Sequence, residues 1–288
     1  MSKGKRLREL FARPDLIVMP GAYDALSARI IAAAGFEAMV AGGFAALGSL
    51  LGEPDTSQLS MQEYADYYTR VANAVDIPVY VDADTGFGGV NNVRRTVKAF
   101  ERAGVAGMFF EDQVFPKRCG YLPGKDVVPV EEMVAKIKAA VDARTDPDFF
   151  ITARTDALGV LGIDAAIERA QMYVQAGADM GRVQGADTVA DLTRVCREVP
   201  GPQLANMSQA SGKKALSLAD IASTGACAVG FPSAALFSAA AAVRKTIAAL
   251  KRDGSLNAVA GELVTLPEYY EIVKLTEQQT REDGYYAT

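Results

Sequence analysis

Short runs of apolar and β-branched residues recur along the chain, separated by longer segments whose apolar residues have helical spacing. The runs predict eight strands, at 16–20, 36–42, 77–84, 105–112, 148–156, 179–185, 203–207 and 227–231. The separating segments predict helices, among them 91–104, 130–144 and 163–179. Alternation of strands and helices indicates parallel strands with helical crossovers, and eight such units close a (β/α)8 TIM-type barrel. A doubly wound open sheet is the alternative for this α/β pattern.

The last part of the chain, residues 233–288, has no strand left to cover. We interpret it as a helical extension of one domain that spans residues 1–288. An Ala-rich helix at 233–252 precedes a segment with apolar residues at helical spacing, namely Leu266, Tyr269, Tyr270, Ile272, Val273 and Leu275. That apolar face needs a partner, which is either the chain's own barrel or the barrel of a neighbouring subunit.

Composition narrows the class of protein. Half of the 288 residues are hydrophobic and 23% are charged, as in globular proteins. The net charge of −5 and the scattered Lys and Arg residues disfavour a nucleic acid partner. No run of eighteen apolar residues and no signal-peptide pattern occurs, so we expect a cytoplasmic protein without a membrane partner. Three cysteines without metal-type spacing argue against a disulfide framework and against a zinc site.

Carboxylates stand at the carboxyl ends of several predicted strands, which is the catalytic face of such a barrel. Asp82 and Asp84 end one strand, Glu111 ends the next, and Asp55 lies in a loop. Each acid alone could simply cap the next helix, but together they are hard oxygen donors that suit Mg²⁺ or Mn²⁺. The chain contains no histidine, so acid–base chemistry falls to carboxylates, Lys, Tyr or Cys.

Several short motifs, taken in order, resemble those of the isocitrate lyase/phosphoenolpyruvate mutase superfamily, within it the methylisocitrate lyase and dimethylmalate lyase-like members. They are PGAYDALSARI (20–30), GEPD (52–55), VDADTGFGG (81–89), EDQVFPKRCG (111–120), ARTDA (153–157), GADM (177–180) and ANM (205–207). The resemblance covers roughly residues 15–235 and implies an α/β barrel with Mg²⁺ at the strand ends. It further implies that Asp82 holds the ion directly, and that Asp84, Glu111 and Asp55 hold it through water.

The resemblance also implies roles around the substrate, a small-molecule 2-hydroxy or 2-keto carboxylate. Arg154 and backbone amides of the turn Ala41, Gly42 and Gly43 would hold its carboxylate. In the lyases the KRCG segment is a mobile lid whose Cys acts as the general acid, so the resemblance implies that Cys119 is the proton donor. The other residues implied for the site are Lys117 and Tyr121 in catalysis, and Tyr23, Asp82, Gly120, Gln184 and Asn206 in substrate binding. Tyr23 could instead fill a packed turn.

Such a site suits retro-aldol cleavage, which needs a base for the C2 hydroxyl, a cation to stabilise the departing α-keto acid, and an acid for the carbanion. Lys117 and Arg118 precede Cys119 and are expected to lower the pKa of its thiol towards working pH. Taken without its neighbouring motifs, Cys119 would be interpreted as an inert small hydrophobe.

Several positions depart from the family's pattern. Tyr121 stands where the lyase lid has His, and Ala41 where the turn has Ser. Gln184 stands where strand six has Glu, with Arg182 as an added cation. Residues 233–237 are apolar where methylisocitrate lyases have an Arg for a distal carboxylate. Since a buried carboxylate needs a cationic partner, we expect a smaller or more apolar 2-hydroxy diacid of the alkylmalate type, unless Arg182 replaces that Arg.

The sequence therefore predicts a Mg²⁺-dependent carbon–carbon lyase that cleaves a substituted malate or methylisocitrate-like acid. The alternative within enzymes is hydrolysis or decarboxylation of an oxaloacetate-like keto acid. The alternative outside enzymes is a non-catalytic barrel that binds keto acids. The resemblance implies a homotetramer, a dimer of dimers, in which the C-terminal helical arm is exchanged between subunits.

Overall fold

The structure is a computed structural model that describes residues 1–208 and 216–287, and it contains all eight predicted strands. They are β1 (Ile17–Pro20), β2 (Met39–Ala41), β3 (Val79–Asp82), β4 (Gly107–Glu111), β5 (Phe150–Thr155), β6 (Met180–Val183), β7 (Leu204–Asn206) and β8 (Ala228–Phe231). Each strand lies inside its predicted run. The runs were longer because loop residues beside the strands, such as Phe36 and Ile77, are also apolar.

Helices precede β1, join successive strands and form the C-terminal arm. They are α1 (Lys3–Phe11), α2 (Ala25–Ala33), α3 (Gly43–Leu50), α4 (Met61–Asn73), α5 (Val90–Arg102), α6 (Val130–Ala143), α7 (Leu158–Leu161), α8 (Ile163–Gln175), α9 (Val189–Glu198), α10 (Leu218–Ser223), α11 (Ala234–Asp253), a 3₁₀ helix (Asn257–Glu262), α12 (Leu266–Ile272) and α13 (Leu275–Tyr286). The three helices predicted at 91–104, 130–144 and 163–179 are therefore confirmed as α5, α6 and α8.

The strands are all parallel and follow one another around a ring in chain order. One ladder joins β2 through β6, and a second joins β7, β8 and β1. The two ladders meet where the Ala22 N–H donates to the Val40 carbonyl at 2.9 Å. The first strand pairs with the last, with Ile17 opposite Ala228, so the strands have the order of a barrel, without the reversal of strand order found in an open doubly wound sheet. The prediction of a TIM-type α/β barrel is confirmed.

The N-terminal end of the barrel is filled by α1. Leu7, Leu10 and Phe11 of this helix are buried against inward-facing strand residues, and the Phe11 ring meets the Phe150 ring edge to face with centroids 5.2 Å apart. The approach is so close that a Cβ on Gly4 would lie 2.6 Å from the Asp148 carbonyl oxygen. The opposite, C-terminal end of the strands is thus the end that can accept a ligand.

The arm that follows β8 packs little against its own barrel. Of the twenty residues of α11, only Ala249 is buried, whereas Val243 and Ile247 are 60% and 56% exposed. Further along, Leu266 is 61% exposed, although α12 touches α2 of the same chain. The arm therefore presents the unpartnered apolar face that the sequence indicated, and its exchange between subunits stays a prediction. No helix in the described ranges is long and apolar enough to cross a membrane.

Candidate active site

Strand register brings the predicted polar residues together at the carboxyl ends of β3 to β6. In the ladders, Glu111 of β4 lies opposite Arg154 of β5, and Arg154 lies opposite Arg182 of β6. Because side chains alternate along a strand, these three side chains and Asp82 of β3 are on the inward face. Glu111, Arg154 and Arg182 are each at most 6% exposed.

A cavity of about 520 Å³ opens at this end of the barrel. The predicted site residues that line it are Gly42, Gly43, Asp55, Asp82, Cys119, Gly120, Tyr121, Arg154, Gln184 and Asn206. Lys117, Asp84 and Glu111 lie behind this lining, in contact with it through ion pairs or hydrogen bonds. Tyr23 and Ala41 do not line the cavity: the Tyr23 N–H donates to the Ser27 hydroxyl at 3.0 Å, and Ala41 packs in the core outside the barrel.

Asp82 and Asp84 are buried carboxylates whose partners are neutral. Asp82 accepts N–H hydrogen bonds from Gly43 at 3.1 Å and from Asp84 at 2.8 Å. Asp84 has a left-handed backbone (φ 51°) and accepts from the Ser57 hydroxyl at 3.1 and 3.2 Å. Burial raises the pKa of Asp84. Within the described ranges, neither acid has an ion pair with a basic side chain.

Asp55 and Lys117 form a buried ion pair beside these acids. The Lys117 Nζ atom donates to both Asp55 oxygens, at 2.6 and 2.7 Å, and both side chains are at most 5% exposed. Burial alone would lower the pKa of Lys117, but the surrounding carboxylates, Glu111 foremost, raise it well above its ordinary value. Lys117 therefore stays charged and compensates Asp55.

Arg154 is held by two acids. Its Nε and Nη2 atoms donate to Asp156 at 2.8 and 3.0 Å, and its Nη1 atom lies 3.1 Å from Glu111 Oε2. Lys125 donates to the same Asp156 at 2.8 Å. Burial alone would raise the pKa of Asp156, yet Arg154 and Lys125 outweigh it and hold that pKa at about 2. Burial raises the pKa of Glu111 well above its ordinary value, with Arg154 opposing.

The acidic residues fit a hard divalent cation that retains water. In the described part of the chain, no three Cys, Asp or Glu side chains are gathered closely enough to bind one ion directly. Mg²⁺ commonly takes only one or two carboxylates and keeps several waters, so this spacing agrees with one direct ligand. Two further observations favour a cation here: among the residues that the structure describes, Asp82 and Asp84 have no basic partner, and the buried Tyr64 hydroxyl, near Asp82, makes no hydrogen bond.

The lid segment closes over the cavity and is fixed at three points. The Cys119 N–H donates to the Asp55 carbonyl at 3.1 Å, and Lys125 Nζ donates to the Gly120 carbonyl at 2.6 Å. The Tyr121 hydroxyl lies 3.4 Å from both the Asn206 carbonyl oxygen and its side-chain nitrogen. Gly120 packs so tightly that a Cβ there would lie 2.4 Å from Arg154 Nη2.

The prediction that basic neighbours bring the pKa of Cys119 below its ordinary value is wrong, because the lowering effects of Lys117 and Arg154 are outweighed. Burial raises the pKa of this thiol and is the largest influence on it. The Lys117 ammonium is bound to Asp55, and the Arg118 guanidinium turns away to donate to the Pro123 carbonyl at 3.4 Å. A thiol that stays protonated near neutral pH is nevertheless the form that a proton donor requires.

The rest of the cavity wall is mainly apolar. Phe44 of α3 and Phe237 of α11 meet edge to face with centroids 5.7 Å apart. The other apolar lining residues are Val40, Pro54, Tyr80, Phe109, Leu122, Leu204 and Pro232. The cavity therefore combines charged groups at the ends of β3 to β6 with apolar groups, of which Pro232 and Phe237 follow β8.

Sequence reasoning left Asp156 outside the site, although this residue ends a predicted strand, and it missed Lys125 and Ser57 altogether. The carboxylate in RTD was the available signal for Asp156, because it repeats the acidic strand end of β3 and β4. Lys125 carried no such signal, since it lies in the loop beyond the lid and reaches Asp156 across 31 residues of sequence.

The fold and the site define an α/β-barrel enzyme with buried acids beside a cavity at the carboxyl ends of the strands. A family model described as phosphoenolpyruvate phosphomutase matches residues 7–251, and the chain belongs to this family. The 2,3-dimethylmalate lyase of Eubacterium barkeri is 39% identical over 285 residues, which are 99% of each chain. The prediction of the isocitrate lyase/phosphoenolpyruvate mutase superfamily, and of a carbon–carbon lyase within it, is confirmed.

Solved structures show the same fold over the whole chain. Oxaloacetate acetylhydrolase in complex with 3,3-difluorooxalacetate has a TM-score of 0.94 and 33% identity, and the match covers 100% of this chain and 98% of that one. Phosphonopyruvate hydrolase in complex with oxalate and Mg²⁺ has a TM-score of 0.87 and 31% identity, and the match covers 99% and 100%. Relatives on this fold thus include lyases and hydrolases.

Proposed function

We propose that the protein is a Mg²⁺-dependent lyase that cleaves an alkyl-substituted malate, by retro-aldol chemistry, to an α-keto acid and a carboxylate. The observation that carries this proposal is that Cys119, Asp82 and Arg154 all line the same cavity. A protonated thiol there can supply the proton that a carbon–carbon lyase must deliver to carbon. The dimethylmalate lyase relative supports the same reaction class.

The reaction redistributes one proton and one electron pair. A base takes the proton of the C2 hydroxyl, the C2–C3 bond breaks, and C2 becomes the carbonyl carbon of the keto acid. The electron pair of that bond stays with C3 and spreads into the carboxylate that C3 carries. The Cys119 thiol gives its proton to C3, and the thiolate regains a proton before the next turnover.

Asp82 would hold Mg²⁺ directly, with Asp84, Glu111 and Asp55 holding it through water. The ion would supply positive charge at the developing C2 oxyanion. The chain's own residues orient the substrate: Gly43 and Arg154 border the part of the cavity next to Asp82. Asp156 and Glu111 in turn fix the Arg154 guanidinium, so its remaining N–H groups are aimed before substrate arrives.

The apolar side of the cavity supports a substituted malate rather than a tricarboxylate. Phe44, Phe237 and Pro232 offer contacts for an alkyl group and no cation for a third carboxylate. Among the described residues, the cavity lining holds two cationic side chains, Arg154 and Arg182. Two cations match the two carboxylates of a diacid.

Hydrolysis of an oxaloacetate-type keto acid is the second candidate. It is favoured by the structural similarity to oxaloacetate acetylhydrolase, with a TM-score of 0.94. The Ser208 and Ser233 hydroxyls, which lie 3.4 Å apart in the cavity lining, are polar groups that could bind the hydrolytic water. Both candidates use the same acids and the same Arg154, so only the products distinguish them.

Assembly is part of the proposal. We propose a homotetramer, a dimer of dimers, in which the arm from residue 233 onward packs on a neighbouring barrel. The exposed apolar residues of α11 support it, because monomers rarely leave so extended an apolar face in water.

The test is a product assay with the full-length protein and Mg²⁺. The substrates are 2,3-dimethylmalate, other alkylmalates, 2-methylisocitrate and oxaloacetate, and the readout is separate quantification of keto acids, oxalate and acetate. We expect keto acid from an alkylmalate, and none when EDTA is present. Release of oxalate and acetate from oxaloacetate, with no cleavage of any malate, would replace the lyase by the hydrolase. No product from any substrate would overturn both candidates.

A further inference from the structure

Arg182 carries a buried guanidinium without an acidic partner. It is 4% exposed, it forms no ion pair with any residue in the described ranges, and its Nε atom makes no hydrogen bond. Its Nη2 atom donates to the neutral Gln184 Oε1 at 3.0 Å. Neighbouring Arg154, by contrast, is held by Asp156 and Glu111. A buried, uncompensated charge costs several kcal/mol, which folding alone gives no reason to retain.

The surroundings of Arg182 hold its guanidinium at the cavity wall. Its Cζ atom lies 4.6 Å from the centroid of the Phe109 ring, so the aromatic face supports the plane of the group. Arg182, Gln184 and Asn206 all line the same cavity as Cys119. The cation therefore borders the space that the proposed substrate would occupy. An anion bound there would compensate its buried charge.

We propose that Arg182 binds the distal carboxylate of the substrate, the one carried by the carbon that Cys119 protonates. This inference rests on the proposed function and specifies its substrate as a 2-hydroxy diacid. A carboxylate is favoured over a dianionic phosphonate because one unpaired cation compensates one negative charge. A planar guanidinium also suits the two oxygens of a carboxylate.

This position has a consequence for catalysis. When the C2–C3 bond breaks, its electron pair spreads from C3 into the distal carboxylate, which then carries a second negative charge until Cys119 delivers its proton to C3. An interaction that strengthens in the transition state raises kcat, whereas uniform binding changes KM alone. Loss of Arg182 should therefore lower kcat as well as raise KM.

The experiment compares two 2-hydroxy acids that differ in the distal carboxylate. Malate and lactate are titrated calorimetrically into the full-length, Mg²⁺-loaded protein and its variants, and alkylmalate cleavage is measured in parallel. Arg182→Met keeps an apolar chain over Phe109 and removes the charge, whereas Arg182→Lys keeps the charge and removes the planar fork. Arg144→Met is the matched control, because Arg144 is ion-paired with Asp179 at 2.9 Å, away from the cavity lining.

We expect Arg182→Met to weaken malate binding about 10²-fold and lactate binding less than twofold. Arg182→Lys should lose less malate affinity than Arg182→Met. Thermal melting gives a readout that a structural role would not share: Arg182→Met should melt no lower than the parent, whereas Arg144→Met should melt lower because it leaves Asp179 less compensated.

Equal losses of malate and lactate affinity in Arg182→Met, or unchanged malate affinity, would overturn the inference even if the parent cleaves alkylmalates. If Arg182→Met fails to fold, unfolding itself contradicts the inference, and Arg182→Lys still reports the malate-to-lactate ratio. If the parent cleaves no malate but the ratio shifts as expected, the proposed lyase function fails while the carboxylate subsite stands.

Discussion

Substitution of Gly120 by alanine tests how the lid packs on Arg154. The added Cβ would lie 2.4 Å from Arg154 Nη2 and 3.0 Å from Gln184 Cγ. Ordinary contact begins at about 3.4 Å, so the two groups must separate by about 1 Å. Arg154 cannot supply this movement, since Asp156 and Glu111 fix it, and the displacement falls on the lid.

A displacement of about 1 Å at a catalytic group can cost roughly 10² in rate. We therefore expect Gly120→Ala to lower kcat/KM about 10²-fold in a keto-acid release assay. Stability should fall by no more than about 1 kcal/mol, the contribution of the hydrogen bond between Lys125 and the Gly120 carbonyl. Thiol-reagent labelling of Cys119, followed by peptide mass analysis, should be faster in the variant because the displaced lid exposes the sulfur.

Gly159→Ala is the matched control. Its Cβ would lie 3.7 Å from Lys125 Nζ, which is an ordinary contact in the same neighbourhood. If Gly120→Ala retains activity within about threefold of Gly159→Ala and labels at the same rate, the lid does not pack on Arg154 in the active protein, and the reasoning is refuted.

Four further outcomes follow from the site. Asp82→Ala should abolish activity and the rise in melting temperature on adding Mg²⁺ together; full parental activity in EDTA would contradict the metal assignment. Cys119→Ser should lower kcat at least about 10²-fold with little change in substrate affinity, and normal turnover would exclude a proton-donor role. Asp156, whose folded-state pKa is about 2 against an ordinary 3.8, contributes stability that is present at neutral pH and lost as pH falls from about 4 towards 2. The free energy of unfolding of Asp156→Asn should therefore be lower than that of the parent at pH 7, by about 3 kcal/mol, with the difference shrinking in acid; a pH-independent difference would refute this account. Truncation before Asn257 should reduce the assembly seen by light scattering, and a monomeric intact chain at micromolar concentration would exclude the exchanged arm.

The strands and their order were predictable because local patterns determine them. Each strand is a short apolar run, and the acids at the ends of β3 and β4 are adjacent to those runs in sequence. To predict a closed barrel, we needed only the number of strands and the rule that parallel strands are joined by helical crossovers. The position of these acids at one end of the barrel could therefore be predicted from the sequence.

Partnerships between distant loops were not predictable. Lys117 meets Asp55 across 62 residues, and nothing near either residue in sequence indicates the other. The pKa of Cys119 depends on how deeply the closed lid buries the thiol, which adjacent basic residues do not reveal. That Arg182 has no acidic partner among residues 1–208 and 216–287 likewise emerges only when the neighbours of its guanidinium are known.

The helix that fills the bottom of the barrel affects the order in which products depart. With α1 occupying the N-terminal end, traffic through the described part of the barrel uses the mouth beneath the lid, and two products must leave by one route. A product held near Asp82 and one held near Arg182 then depart in sequence rather than independently. The last to leave should inhibit competitively against substrate and the first noncompetitively, so steady-state product inhibition would reveal which fragment lies closer to the exit.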